Sequence, residues 1–124
     1  MTDDDTTLGG YFRVHDRPPA FEGSDGHPYT VSVETEKTGD LRYPVEGYLV
    51  FPRWAQSGVG IVGHVETGIL TQSPSVEDAM GTLGRLTLYE VHGLLEDAVG
   101  RLLRADAEQT SSGSDADEEE ITDG

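Results

Sequence analysis

Tyr29, Val31, Val33 and Thr35 alternate with Thr30, Ser32, Glu34 and Glu36. A period of two in β-branched and aromatic residues predicts a half-buried strand with one wet face. Lys37-Thr38-Gly39-Asp40 follows as a turn, and Leu41–Tyr43 is interrupted by Pro44. The unbroken apolar run Gly47-Tyr48-Leu49-Val50-Phe51 predicts a central strand covered on both faces and ended by Pro52. After the turn at Gln56-Ser57-Gly58, Val59, Ile61, Gly63, Val65, Thr67 and Ile69 fall on one face of a long strand, with Val62, His64, Glu66 and Leu70 on the other. Three strands joined by short turns make an antiparallel meander, whose apolar face needs a cover. Upstream, the short patch Tyr11–Val14 predicts an edge strand, followed by a loop through Arg17-Pro18-Pro19 and Glu22–Gly26.

The cover comes from the C-terminal third. In Ser73-Pro74-Ser75-Val76-Glu77-Asp78 a capping serine, a proline and two carboxylates announce a helix start. Val76, Met80 and Leu83 share a face before Gly81 and Gly84 weaken the helix. Thr87-Leu88-Tyr89-Glu90 then reads as a capping box, and Leu88, Val91, Leu95, Ala98 and Leu102 recur at helical spacing, with Leu94, Val99 and Leu103 widening the stripe. Two helices meeting near Gly84 and one long bent helix both satisfy this pattern. The fold class is α+β: a three- to four-stranded antiparallel sheet in β-β-β-α order, packed against a C-terminal helix.

Charge divides the chain into parts. Its 124 residues carry 24 acids and 8 bases, a net charge of -16. Three aspartates lie within residues 1–5 and eight acids within 105–124, so the rest of the chain holds 13 acids against its 8 bases. Acidic runs mixed with Ser, Gly and Thr bury too little apolar surface to offset chain entropy, which predicts disorder over 1–7 and 106–124 around one domain at 8–105. Seven of the eight bases are arginine, and Lys37 is the only lysine. At molar salt the Debye length is about 3 Å, and an acidic surface stays hydrated while its self-repulsion is screened. This composition resembles that of proteins from extremely halophilic archaea.

Cysteine is absent, which removes disulfides, thiolate nucleophiles and thiolate metal ligands. The acidic start Met-Thr-Asp-Asp-Asp does not read as a signal peptide, and no window approaches the apolar length of a membrane span, so a soluble cytoplasmic protein is expected. No basic stripe is present, and direct nucleic-acid binding is disfavoured.

Residues 28–98 resemble the HicB-type antitoxin domain. The resemblance is carried by the Tyr29-Thr30-Val31-Ser32-Val33-Glu34 strand, a hairpin partner ending in Phe51-Pro52, a third strand, and Ser73-Pro74-Ser75-Val76-Glu77-Asp78-Ala79 where that family has a Thr-x-Glu-Glu-Ala helix start. It implies a sheet-and-helix unit used for protein binding and dimerisation. An acidic tail stands here in place of that family's C-terminal DNA-binding segment.

Candidate chemistry is sparse. His64 and Glu66 are two apart on a strand, and His92 and Glu96 four apart on a helix, so each pair shares a face and the two together could form a His₂Glu₂ metal site. There is no compact metal motif, and no serine sits in Gly-x-Ser-x-Gly. Gly58-Val59-Gly60-Ile61-Val62-Gly63 fits the dinucleotide pattern but leads into a strand, where glycines serve a bulge or close backbone approach. Arg53 and Trp54, at a strand end, form a candidate interaction patch, with Trp54 capping the core edge as the alternative. Gly93 and Gly100 share a helix face suited to close helix packing or a symmetric dimer. With no catalytic residue or cofactor assigned, the expectation is a non-enzymatic interaction or regulatory module acting as a homo-oligomer or with a protein partner. The alternatives are an enzyme using His64, Glu66 and His92 with a metal or small ligand, and a nucleic-acid accessory protein.

Overall fold

The computed structural model describes residues 4–123, with side chains over 5–107. Its elements are α1 (Leu8–His15), β1 (Ala20–Glu22), β2 (Pro28–Thr30), β3 (Ser32–Lys37), β4 (Val45–Trp54), β5 (Ile61–Glu66), β6 (Thr71–Ser73), α2 (Val76–Gly84) and α3 (Leu88–Asp123). Asp4–Thr6 forms a short 3-10 turn ahead of α1, so part of the N-terminal stretch expected to be disordered has a defined backbone. Residues 1–3 and 124 lie outside the described residues. The expected disordered tail, 106–124, falls on the end of α3, and its side chains from residue 108 also lie outside them.

The sheet has six antiparallel strands rather than three or four, arranged around β4. Strands β2 and β3 keep one register along one edge of β4, with Tyr29 opposite Arg53 and Ser32 opposite Val50. Along the other edge, β5 stops at Glu66 where the sequence presents one strand from Val59 to Leu70, and β6 pairs separately beyond it. The break falls at Thr67, whose Oγ1 accepts from the Leu49 N–H at 3.1 Å while its own N–H donates to the Leu49 carbonyl at 2.9 Å. A side chain thus completes the ladder where the backbone departs from it. β1 pairs with β2 as the outermost strand.

Only one face of the sheet is covered. Val45, Gly47, Leu49 and Phe51 of β4 are buried, whereas Glu46, Tyr48, Val50 and Pro52 are half-exposed. The apolar run therefore does not mark a strand covered on both faces. Tyr29, Val31, Leu49, Phe51 and Val65 form the core with Leu8, Leu83, Val91, Leu95, Ala98 and Val99 of the helices. Each large side chain buried in this way contributes about 1.5–3 kcal/mol. Gly47 lets α2 approach the sheet: a Cβ there would stand 2.8 Å from Thr71 Cγ2 and 3.0 Å from Leu83 Cδ1.

Two separate helices form the C-terminal cover. Ser75 caps α2 through the Asp78 N–H at 3.1 Å. The capping box of α3 is complete, with the Glu90 N–H on Thr87 Oγ1 at 3.0 Å and the Thr87 N–H on Glu90 Oε1 at 2.9 Å.

Tyr11–Val14 is helix, not edge strand. Thr7 Oγ1 caps α1 by accepting from the Gly10 N–H at 3.0 Å, and Asp16, left-handed at φ 54°, ends it. The glycines that obscure this helix in the sequence have a packing role. A Cβ on Gly9 would meet the Gly84 carbonyl oxygen at 3.2 Å, so α1 and α2 cross backbone against backbone. The Leu8 N–H donates to the Leu86 carbonyl at 2.8 Å, fastening α1 to the junction between α2 and α3.

These contacts separate two glycines that look alike in sequence. Gly47→Ala is expected to cost about 1–3 kcal/mol through overpacking. Gly93→Ala, where a Cβ meets nothing within 4 Å, is expected to stabilise by about 0.5–1 kcal/mol through helix propensity. Urea denaturation of both variants at fixed KCl concentration measures the two signs.

Candidate functional site

Arg53 and Trp54 stand at the end of β4, where the β1–β2 hairpin folds over it. The hairpin loop is held by the Gly23 N–H on the His27 carbonyl at 2.9 Å and by Gly26 at φ 85°. This puts Asp25, with its side chain only 5% exposed, beneath Arg53. Asp25 Oδ2 accepts from Tyr29 Oη at 2.8 Å and Arg53 Nε at 3.1 Å, while Oδ1 accepts from the His27 N–H at 3.2 Å. His27 Nδ1 donates to the Trp54 carbonyl at 2.9 Å, and Trp54 Nε1 donates to Thr30 Oγ1 at 3.1 Å. Arg53 and Trp54 are thus built into a lock between hairpin and sheet. Asp25 and Tyr29, which complete that lock, were not singled out from sequence; the Asp-Gly pair in the loop was the available sign of an ordered turn.

The electrostatics of the lock follow from its contacts. Burial alone would raise the Asp25 carboxyl, but hydrogen bonds from Tyr29, the His27 backbone and Arg53 outweigh it and hold the group below the ordinary carboxylate range. Burial and the neighbouring Asp25 carboxylate push the Tyr29 phenol up to about 12. Among the described residues no buried polar side-chain atom lacks a hydrogen-bond partner.

The two histidine pairs do not come together. His64 Nε2 lies 3.3 Å from Glu66 Oε2 on the open face of β5, opposite Pro52 and Val50. His92 Nε2 lies 3.3 Å from Glu96 Oε2 on α3, which covers the other face, and the His92 ring stacks on Phe21 at 5.3 Å. Among the described residues no three His, Asp or Glu side chains are placed to hold a metal ion. Gly93 and Gly100 are not used for close packing within the chain: space beside Gly93 is open, and a Cβ on Gly100 would meet only Arg104 Nη1, at 3.4 Å. Gly58 and Gly60 serve the β4–β5 turn with φ of 84° and 89°, and bind no phosphate-like loop to a helix.

A groove of about 640 Å³ lies at the outer edge of β3, a volume within the range of binding clefts. Leu8, Gly9 and Phe12 of α1 and Met80 and Gly84 of α2 form one wall. Residues 30–33, where β2 passes into β3, line it as well, together with Pro18 and with Pro52 of β4. Among the described residues no ionisable side chain lines it. A neighbouring cleft shares Gly9, Met80 and Gly84 and carries Arg13 and Arg85, neither of which joins a carboxylate ion pair among the described residues. On the open face, Tyr48 donates to Glu36 Oε2 at 3.2 Å; desolvation, this bond and the charges of Glu36, Glu66 and Glu34 raise its phenol. The helices include none long and apolar enough to cross a membrane among the described residues. Compared with protein-family models, curated proteins and solved structures, the chain matches none.

The lock sets a pH dependence at both ends of the scale. Asp25 contributes stability in full above the ordinary carboxyl pKa, and that contribution disappears as pH falls through its lower folded value. Tyr29 contributes in full below the ordinary phenol value near 10, and its contribution is lost as pH rises through about 12. In near-ultraviolet titration, Tyr29 is expected to ionise near 12, and Asp25→Asn is expected to bring that step down. Asp25→Ala, which strips Tyr29 and Arg53 of their acceptor, is expected to cost about 2–3 kcal/mol in urea denaturation.

Proposed function

We propose that this chain is a non-enzymatic protein-interaction or regulatory module, working with a protein partner or as a homodimer in a saline cytoplasm. The observation that carries the reading is a sizeable groove with no ionisable lining residue among the described residues, beside a polar cluster in which Asp25 is engaged by Tyr29, Arg53 and the His27 backbone. Catalysis needs a group held near a substrate and free to exchange a proton or electron pair. Binding needs apolar surface, shape and satisfied surroundings. The resemblance of residues 28–98 to the HicB-type antitoxin domain supports the same direction, since it implies protein binding and dimerisation. The acidic composition and near absence of lysine support a salt-rich cell interior.

Light scattering in about 2–3 M KCl, where surface charge is strongly screened, tests the self-association arm. A mass that rises from one to two chains with concentration is expected for the homodimer. For the partner arm, a reproducible stoichiometric complex from native cell extract is expected. A strict monomer that forms no such complex overturns the proposal.

A further inference from the structure

We infer that the outer edge of β3 accepts an extended segment of a partner protein as an added antiparallel strand, its apolar residues turned into the groove and its cationic residues turned to the open face. This deepens the reading of the chain as a protein-binding module by giving it a surface and a partner chemistry.

The edge is left open by the course of the chain. β1 pairs with Pro28–Thr30 and stops there, because the preceding Pro18 and Pro19 offer no N–H to a ladder and lead away to α1. From Ser32 to Lys37 the described residues place no strand on the side of β3 that faces away from β4. A strand has outward N–H and C=O groups at alternate residues, and these form the template for main-chain pairing. An added strand in line with β1 would run antiparallel to β3, as β1 does to β2.

The groove lies where such a strand would sit. Of β3 it is lined by Ser32 and Val33, neighbours on opposite faces, and it continues past Val31 to Thr30 of β2 and Pro52 of β4. Neighbours on opposite faces border the same space where that space reaches the strand's edge. Met80 and Phe12 supply apolar surface on the covered side. The tail of a small amphiphile would fill this volume yet leave the edge N–H and C=O groups of β3 to water, whereas a strand fills the volume and pairs them as well.

Charge selects the occupant. Glu34 and Glu36 project to the open face from β3, beside Tyr48 and Glu46 of β4. Directly opposed residues on paired strands bring Cβ atoms to about 4.5–5.5 Å, and like charges there are destabilising. A second copy paired through this edge would set its own Glu34 and Glu36 against these. A segment with lysine or arginine at alternate positions meets them with opposite charge, and its intervening apolar residues meet Val33 and the groove.

The test uses a blocked octapeptide of alternating lysine and valine, with a glutamate–valine peptide as control, at the lowest KCl concentration at which circular dichroism shows the fold intact. Amide chemical shifts and hydrogen exchange of the full chain are followed. Slowed exchange within residues 32–36 and binding about tenfold tighter for the lysine peptide are expected, consistent with two opposite-charge pairs. The exposed-edge double variant Glu34→Lys/Glu36→Lys, checked for native circular dichroism, is expected to reverse the preference. The edge inference is overturned if the peptide perturbs only the open face around Tyr48 and Glu66, a result that leaves the protein-binding reading standing. It is likewise overturned if the edge amides are protected by self-association without peptide, or if dodecanoate occupies the groove through Arg13 and Arg85 while the lysine peptide does not bind. Absence of any peptide binding, together with a strict monomer that forms no stoichiometric complex, overturns both.

Discussion

The whole sheet depends on β4 using both of its edges. On one side it pairs with β2 and β3, on the other with β5 and β6, and only β1 is held at second hand. A ten-residue strand committed in this way cannot change register at one end without moving the other, because a slip of one residue turns every side chain to the opposite face. Val45, Gly47, Leu49 and Phe51 fix that register by burial. The Asp25 lock fixes its far end by polar contacts. Core packing and hydrogen bonding thus enforce the same alignment, one from within the sheet and the other from its rim.

Much of this architecture can be read directly from local pattern. The Ser75 cap and the Thr87–Glu90 capping box each lie within a few residues, and the structure bears them out, while the alternation from Tyr29 to Glu36 becomes two strands, β2 and β3, in one register. α1 is harder to read, since adjacent glycines disfavour a helix and its reason for existing is Gly84, far along the chain. The end of β5 at Glu66, short of the expected strand through Leu70, was also hidden, because it depends on Thr67 reaching Leu49. These are cases in which tertiary contact overrides local propensity.

The candidate sites divide in the same manner. Arg53 and Trp54 stand out by residue type, but their position in the lock follows from Asp25, 28 residues from Arg53. The spacing within each histidine pair correctly places its members side by side, while the sheet separates one pair from the other. The groove has no linear signature at all: its walls come from α1, α2 and a strand edge brought together by the Gly9–Gly84 crossing. A sequence displays chemical groups well and displays empty space poorly.

The fastening of Leu8 to Leu86 has a bearing on how the chain comes together as it is synthesised. α1 precedes the whole sheet in the chain, yet the junction it docks on follows the sheet. The meander can pair once β6 has emerged, but its inner face stays bare until α2 and α3 arrive. α1 therefore waits, and its docking closes the domain only after the sheet and α2 have been made. A contact between two short segments thereby makes completion of the fold depend on every element that lies between them in the chain.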